Sequence, residues 1–312
     1  MGTFNVLLRF LCVGIMAGLL LLSGSLAYAS APAPLTDWEY RWGDAPLEDD
    51  APWSPIDFPS NPPERNGQKS VWFKTVLPEG EWRDPVLHIT SINLVGQIYL
   101  DGTLIYQHGD MEEPRFIGWP WHLVPLPENS AGKTLALRIH SDYTSIGLWG
   151  DVEITDRIDA LKGMLHASVQ DLAVSAFSLL LAMLAAIFAM IGPERRGFFA
   201  IALFAFSSGL MLLAETPVRQ LLADAPLTWD ILRAASYFTL PIAIGLLLSH
   251  WLEGVPKRWM RRLWQLHLAY LVVSIGLVAL GVVNLALTFP IFDVLLLLTL
   301  PLMLLLALLR VR

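Results

Sequence analysis

The chain has 312 residues, 54% of them hydrophobic, with a mean hydropathy of +0.52 and a formal net charge of −7. This composition is too apolar for an ordinary soluble protein, and the negative net charge gives no reason to expect a nucleic-acid partner. The charge is unevenly distributed, since 21 of the 28 acidic residues lie between Asp37 and Asp159. The sequence after Val169 is apolar with a slight basic excess. This division predicts a domain outside a membrane followed by a membrane domain.

Residues 1–29 have the pattern of a secretory signal peptide. Arg9 supplies a positive charge, an apolar run extends from Phe10 to Leu22, and Ala27-Tyr28-Ala29 matches an A-x-A cleavage site. An uncleaved anchor helix is the alternative. The sole cysteine, Cys12, lies inside the apolar run rather than after it, so a lipoprotein is not indicated. The exported domain is therefore expected to fold without disulfides.

Short strand-like segments separated by turn residues fill residues 32–155. Val71 to Leu77 and Thr134 to His140 alternate apolar and polar residues, which is typical of half-buried strands. The pair Asp101-Gly102 between two apolar runs predicts a β-hairpin with a two-residue turn. Further strands are predicted at 86–89, 97–100, 103–107 and 152–154. Short strands at this spacing favour an antiparallel all-β sandwich.

The order of these segments resembles a known domain. The series VWFKT, PVLHI, IYLDGTLIYQHG and KTLALRIH resembles the galactose-binding-like jelly roll that accompanies many glycosidases. The segments GEWRDP, GWPWHLVPLP and HSDYTSIGLWGDVEI more closely resemble the extracellular domain of bacterial seven-transmembrane receptors with diverse intracellular signalling modules. This resemblance covers most of residues 38–310. It implies a ligand-sensing jelly roll outside the membrane, a helical bundle, and a cytoplasmic output module such as a diguanylate cyclase or a histidine kinase.

Aromatic residues are the candidate ligand contacts. Eight of the twelve tryptophans lie between Trp38 and Trp149, where their rings could stack on a sugar or fill the core of the domain. The segment between Gly118 and Pro125 is predicted to be a loop, where binding residues concentrate. The candidate ligand-binding residues are Trp119, Trp121, His122, His108, Asp110, Asp142 and Trp149.

Nothing in the sequence indicates a cofactor, a metal or a catalytic centre. His108, His122 and His140 do not have the spacing of zinc ligands, and hydrogen-bonding roles are the better interpretation of these side chains. The sequence contains no nucleophile elbow, HExxH motif or phosphate-binding loop. We therefore expect a protein that binds no cofactor and is not an enzyme.

Five segments are long and apolar enough to cross a bilayer. The predicted spans are 169–191, 198–214, 231–251, 263–285 and 289–309. Apolar residues also recur every three or four positions from Ile158 to Leu172, after a capping residue at Thr155 or Asp156. This periodicity predicts a juxtamembrane helix over 156–168 that continues into the first span.

Basic residues orient the predicted spans. Lys and Arg residues follow the first, third and fifth spans, at 195–196, 257–262 and 310–312. By the positive-inside rule, this places the N-terminal domain outside a bacterial inner membrane and the C-terminus in the cytoplasm.

Charged residues and prolines within the spans are candidates for coupling the outer domain to the helices. Asp171, Arg233 and Asp293 lie near the outer ends of predicted spans, where they could form salt bridges or reach interfacial water. Pro241 and Pro301 lie inside the third and fifth spans and are expected to kink those helices.

These patterns predict the sensory part of a bacterial envelope receptor that binds a small, carbohydrate-like ligand and relays the change through the helix around Val169. The alternative is a membrane-anchored carbohydrate-binding or transport-associated protein without signalling output. The expected partners are the lipid bilayer, the ligand and a second copy of the chain. Because the resembled receptors have seven spans and an output module, a sequence with five spans and no such module is expected to be a truncated receptor. A natural short form that signals through a partner is the alternative.

Overall fold

The structure is a computed structural model that describes residues 32–47 and 49–308. Ten strands come first in this part of the chain, and six helices follow. The predicted signal peptide at 1–29 lies outside the described residues, as do the end of the fifth predicted span at 309 and the basic residues at 310–312.

The strands form two antiparallel sheets, and we call residues 32–156 the β-domain. One sheet has the strand order β1-β10-β5-β8, and the other has the order β3-β2-β4-β9-β6-β7. The strands are β1 Ala33–Pro34, β2 Trp38–Trp42, β3 Ser54–Ile56, β4 Ser70–Val76, β5 Pro85–Ile92, β6 Val95–Leu100, β7 Thr103–His108, β8 His122–Pro125, β9 Thr134–His140 and β10 Leu148–Asp156.

One hydrophobic core fills the space between the two sheets. It takes fully buried side chains from both, among them Leu87 and Ile154 from the first sheet and Phe73 and Leu137 from the second. Because the domain is folded around this core without a disulfide among the described residues, burial of these apolar side chains supplies its main stabilisation.

The predicted strands are present, all but β9 with a difference in extent, and four strands are additional. β9 has the predicted bounds, and Asp101-Gly102 turns between β6 and β7 with φ of 47° and 76°. β5 and β10 are longer than predicted because they pair with each other from Ile92 opposite Leu148 to Pro85 opposite Asp156. The sequence did not predict β1, β2, β3 and β8, which are at most five residues long.

Five of the six helices are long and apolar enough to cross a membrane. The helices are α1 Arg157–Ile191, α2 Arg195–Glu215, the short α3 Arg219–Leu222, α4 Pro226–Trp251, α5 Gly254–Ala279 and α6 Leu285–Leu308. Consecutive long helices pack against each other, and α4 also contacts α6. The helix of the fourth predicted span, which was expected to reach residue 285, ends at Ala279, because Gly281 turns the chain at φ 69° and α6 begins at Leu285.

Small residues allow the helices to approach closely. A Cβ atom on Gly245 of α4 would lie 2.6 Å from the Cβ of Trp264 in α5. Ser175 of α1 donates a hydrogen bond of 2.7 Å to the carbonyl of Gly209 in α2. Pro241 lies inside α4 and Pro301 inside α6, and both helices continue past them.

The β-domain joins the helices without a linker, because β10 ends at Asp156 and α1 begins at Arg157. Asp156 is the residue before α1, but its carboxylate does not form the predicted capping hydrogen bond with the helix. Instead, its Oδ1 accepts hydrogen bonds from the backbone N–H groups of Arg83 (2.8 Å) and Asp84 (2.9 Å). Arg157 Nε donates to Asp84 Oδ2 at 2.7 Å. The first turn of α1 is therefore fixed to the loop before β5.

Candidate functional site

The loop before β8 leaves the β-domain and lies on the ends of the helices. Gly118 in this loop has a φ of 102°, and a Cβ atom there would lie 2.6 Å from the backbone nitrogen of Leu227 at the start of α4. Only glycine fits such an approach without displacement. The Phe116 ring packs edge-on against Trp119, with 4.6 Å between centroids, and joins an apolar cluster around Phe238 of α4.

Polar side chains then lock this loop to the helices in an arrangement that we call the clamp: Trp119, Trp121, Arg219, Gln220 and Asp230. The backbone N–H of Trp119 donates to Asp230 Oδ2 at 2.7 Å, and Arg219 donates to Asp230 Oδ1 and to the Trp119 carbonyl, both at 2.8 Å. Gln220 accepts from the Trp121 N–H and donates to its carbonyl, both at 3.1 Å. The Asp230 side chain is fully buried and that of Arg219 is 11% exposed.

This ion pair therefore holds a β-domain backbone segment between two largely buried helical side chains. Charges in such a place are stable only when they are paired and hydrogen-bonded. The Trp119 peptide supplies the additional hydrogen bonds, so the ion pair and the docked loop depend on each other.

A cavity of about 760 Å³ lies beside the clamp, between the β-domain and the helix ends. We call it the interdomain cavity. Its volume is typical of small-molecule sites. The polar and aromatic residues that line it are Ser91, Asn93, Trp119, Asp142, Tyr143, Thr144, Ser145, Trp149, Arg219, Asp230, Arg233 and Asn284.

Two buried donor atoms in this lining have no hydrogen-bond partner among the described residues. They are Nδ2 of Asn93, a residue 5% exposed, and Nε of Arg233. The Arg233 guanidinium lies over the rings of Trp119 and Phe289, 5.4 and 5.2 Å from their centroids. A buried donor without a partner costs about 1–3 kcal/mol. Both residues line the interdomain cavity.

Tyr143 makes a second connection across the same cavity. The side-chain amide of Asn284, just before α6, donates a hydrogen bond to the Tyr143 hydroxyl. Burial raises the pKa of Tyr143 to about 12, so its hydroxyl stays protonated and keeps its own hydrogen for donation.

The structure brings four of the sequence-predicted residues together. Trp119, Asp142, Trp149 and Arg233 all line the interdomain cavity, although they come from three distant segments of the chain. Trp121 lies on the other side of the clamp, where it lines a second cavity of about 530 Å³ together with Asp151, Glu153 and Asp159.

Three other candidates lie elsewhere in the β-domain. His122 is not in a loop as predicted but opens β8, paired with Ile89, and its ring is buried. It stacks edge-on against the buried ring of His108 with 4.7 Å between centroids. Burial lowers the pKa of His108 to about 4 and that of His122 well below its usual value. The exposed Asp110 accepts backbone hydrogen bonds in its own turn.

The coupling candidates are also separated. Asp171 is exposed on α1, and Asp293 accepts a hydrogen bond of 2.8 Å from the Tyr237 hydroxyl. Within residues 32–47 and 49–308, neither carboxylate forms an ion pair; the pair at this level is Arg219 with Asp230. Sequence reasoning missed its role. The available signal was that Arg219 is the only cation between the second and third predicted spans.

No metal centre is visible in the described part of the chain, where no group of three or more His, Cys, Asp or Glu side chains is placed to hold an ion.

No protein-family model matches the chain, and no curated protein is significantly similar to it. Parts of some solved structures are similar. A Faecalibacterium prausnitzii beta-glucuronidase matches 38% of this chain with 22% of its own, at 19% identity and a TM-score of 0.27. A GH2 beta-galacturonidase from Eisenbergiella tayi matches 43% with 26% of its own, at 11% identity and a TM-score of 0.33. An uncultured Clostridium sp. beta-glucuronidase matches 43% with 30% of its own, at 16% identity and a TM-score of 0.30.

The chain thus spans between about a fifth and a third of the length of these structures. Likenesses this remote carry no argument about function, which must come from the site itself.

Proposed function

We propose that the chain is the sensory and membrane-spanning part of a bacterial envelope receptor of the seven-transmembrane type that it resembles. The β-domain is a jelly roll outside the inner membrane, the long helices cross the bilayer, and a small ligand binds in the interdomain cavity. The clamp is the observation that carries this proposal, because it joins a loop of the β-domain to a fully buried carboxylate at the start of α4.

The lining of the cavity supports a polyhydroxylated ligand, and a carbohydrate fits best. Asn93 and Arg233 offer buried donors, and Asp142 offers acceptors. Trp119 and Trp149 supply aromatic faces on which a sugar ring can stack. Because both donors lack a partner without a ligand, binding would remove the cost of leaving them unsatisfied.

Two routes would carry binding into the helices. One runs from the cavity through Trp119 and Asp230 into α4. The other is the direct step from β10 into α1, which spans 35 residues and therefore about 50 Å. We propose that the chain itself performs no chemical step and that output comes from a cytoplasmic module. The orientation rests on the basic residues at the helix ends opposite the β-domain.

A thermal-shift screen of the full-length chain in detergent tests the ligand assignment. The panel would contain neutral hexoses, uronic acids, short oligosaccharides and, as non-sugar controls, amino acids. We expect at least one carbohydrate to raise the melting temperature of the wild-type protein. The same compound should give no shift with Arg233→Gln or Asn93→Ser, since each change removes one of the two unpartnered donors.

Arg83→Gln is the matched control, because Arg83 is exposed on the β-domain and does not line the cavity. It should respond to the compound as the wild type does. A panel without any carbohydrate-induced shift would contradict the carbohydrate assignment. A shift that survives both cavity substitutions would place the ligand elsewhere.

A further inference from the structure

A second pocket, which the proposed sensing function does not use, lies at the helix ends farthest from the β-domain. It has a volume of about 690 Å³ and is formed where α1 ends, α2 begins, α4 ends and α5 begins. Its cationic residues are Arg195, Arg196, Lys257 and Arg261. We call it the basic pocket.

These four cations have no carboxylate counterion among the described residues. Within residues 32–47 and 49–308, none of them forms an ion pair with a carboxylate. The one acidic group bonded to a residue of the lining is Glu194, which lies 2.7 Å from Nε2 of His250. The basic pocket therefore has an excess of positive charge that must be balanced from outside the described chain.

The remaining walls of the pocket are apolar except at Ser249 and His250. Met190, Phe199 and Trp264 lie beside the cations. A small hydrated anion such as phosphate would gain nothing from such walls, whereas a molecule with an anionic head and an apolar tail would use both surfaces.

An apolar groove continues from the basic pocket along α1 and α2. The groove has a volume of about 470 Å³, and it shares Ala186 and Phe199 with the pocket. Its other lining residues are Leu179, Ala182, Met183, Ala202, Leu203 and Phe206, so every side chain in it is apolar. Leu179 and Ala186 are seven residues apart on α1, which corresponds to about 10 Å along the helix axis.

We propose that the basic pocket and this groove together bind one anionic phospholipid. The phosphate of the headgroup lies among the four cations, and one acyl chain lies in the groove between α1 and α2. The inference rests on the proposed crossing of the membrane, in which this end of the helices faces the cytoplasm. Anionic lipids are attracted to basic residues at that face.

Native mass spectrometry of the full-length chain in detergent tests this proposal. Phosphatidylglycerol and phosphatidylethanolamine with identical acyl chains would be titrated in parallel. The pocket variant is Lys257→Gln/Arg261→Gln. The matched control is Arg258→Gln/Arg262→Gln, which removes the same charge from exposed residues of the same helix outside the pocket.

We expect the wild type to bind one phosphatidylglycerol in preference to phosphatidylethanolamine. The pocket variant should bind phosphatidylglycerol about ten-fold more weakly, and the control should stay close to the wild type. An equal loss of phosphatidylglycerol affinity in the two variants would overturn the proposal, because general surface charge would then explain the binding. Equal binding of the two lipids would also overturn it, because the bound lipid would then belong to the unspecific lipid shell around the helices.

The groove is tested with Ala186→Trp, which fills the junction between pocket and groove while leaving every cation in place. We expect weaker binding of phosphatidylglycerol and unchanged binding of inorganic phosphate. If inorganic phosphate competes with the lipid at equal concentration, or if Ala186→Trp leaves lipid binding unchanged, the occupant is a soluble anion and the proposal is wrong.

Membrane fractionation of the expressed chain separates this inference from its premise. A chain that is absent from the membrane fraction would overturn the proposed crossing itself. A chain in the membrane fraction that shows no lipid preference would overturn only the lipid site.

Discussion

The charged residues at the two ends of the helices differ in whether they are paired. Near the β-domain, Arg219 is paired with the fully buried Asp230, and both hydrogen-bond to the Trp119 backbone. At the far end, the basic pocket holds four cations without a carboxylate partner in the described chain. The first end contacts another part of the same molecule, and the proposed ligand of the second end is an anionic phospholipid. Buried, paired charge therefore marks an internal joint here, and open, unpaired charge marks an external contact.

Among the substitutions that test this contrast, removal of the buried Asp230 carboxylate should destabilise the protein most. Asp230→Ala leaves Arg219 and the Trp119 N–H without their fully buried carboxylate partner. Breaking a buried pair by deleting one partner typically costs about 3–5 kcal/mol. We expect a strong decrease in the melting temperature of the detergent-solubilised chain, measured by differential scanning fluorimetry.

Glu113→Gln is the matched control for that experiment. It removes one carboxylate from the pair with Arg115, whose side chains are 71% and 79% exposed. Such pairs contribute about 0–1 kcal/mol. An equal decrease in the melting temperature of the two variants would contradict the role of Asp230 in joining the β-domain to the helices.

Gly118→Ala should weaken the contact between the loop before β8 and α4. It should lower the stability less than Asp230→Ala does. The added Cβ meets the backbone of Pro226 and Leu227, which cannot move aside easily, and φ is 102°. We expect the free energy of unfolding to fall by about 2–3 kcal/mol in total, which is more than backbone strain alone would cost. Gly132→Ala isolates that strain, since φ there is 73° and no atom lies within 4 Å of the added Cβ. Chemical denaturation that gives both variants the same loss would contradict the close docking of the loop.

Acid should destabilise the β-domain itself, whereas the Lys and Arg side chains of the basic pocket keep their charge. Burial lowers the pKa of His108 from 6.5 to about 4, so the unfolded chain binds the proton more tightly than the folded chain. Its contribution is complete above pH 6.5 and is lost as the pH falls towards 4, by up to about 1.4 kcal/mol per pH unit. Melting temperatures between pH 7.5 and 4.5 should show this decline. His108→Gln should make the decline smaller, while the buried His122, whose pKa is also lowered, keeps the remainder. An identical profile in this variant would exclude His108 as a source of the decline.

Tyr143→Phe should give the smallest effect, because it removes one hydrogen bond with Asn284 and leaves the clamp intact. A single neutral hydrogen bond contributes about 0.5–1.5 kcal/mol. Hydrogen exchange should become faster in the turn at 280–284 and stay unchanged at 217–230. Tyr99→Phe is the control, since it removes a hydrogen bond inside the β-domain to Gln97. Faster exchange in the turn with that control would contradict a local role for Tyr143.

The sequence was sufficient for features with a strong local pattern. The alternation of Thr134–His140 predicted β9, and Asp101-Gly102 predicted the hairpin, because side-chain periodicity and turn conformation are set by neighbouring residues. Five apolar helices followed from apolar length alone. β8 was missed because its four residues contain a proline and a histidine, and its pairing partner β5 lies more than thirty residues earlier.

The site was harder to predict because it depends on contacts between distant segments. Trp119 was singled out from its predicted loop, but nothing local shows that its N–H meets Asp230, 111 residues away. Arg233 was assigned to the outer end of a span, and only the fold places its guanidinium over Trp119 and beside the cavity. Asn93 carries no sequence signal at all, since a buried amide without a partner is recognisable only once its surroundings are known.

Hydrogen exchange at residues 117–121 is the most direct test of the joint between the β-domain and the helices. In the wild type, the N–H groups of Trp119 and Trp121 are bonded to Asp230 and Gln220 and should exchange slowly. In Asp230→Ala, the same segment should exchange much faster, while β9 in the core of the β-domain keeps its protection. Rapid exchange of 117–121 in the wild type, or equal exchange in both proteins, would contradict the account.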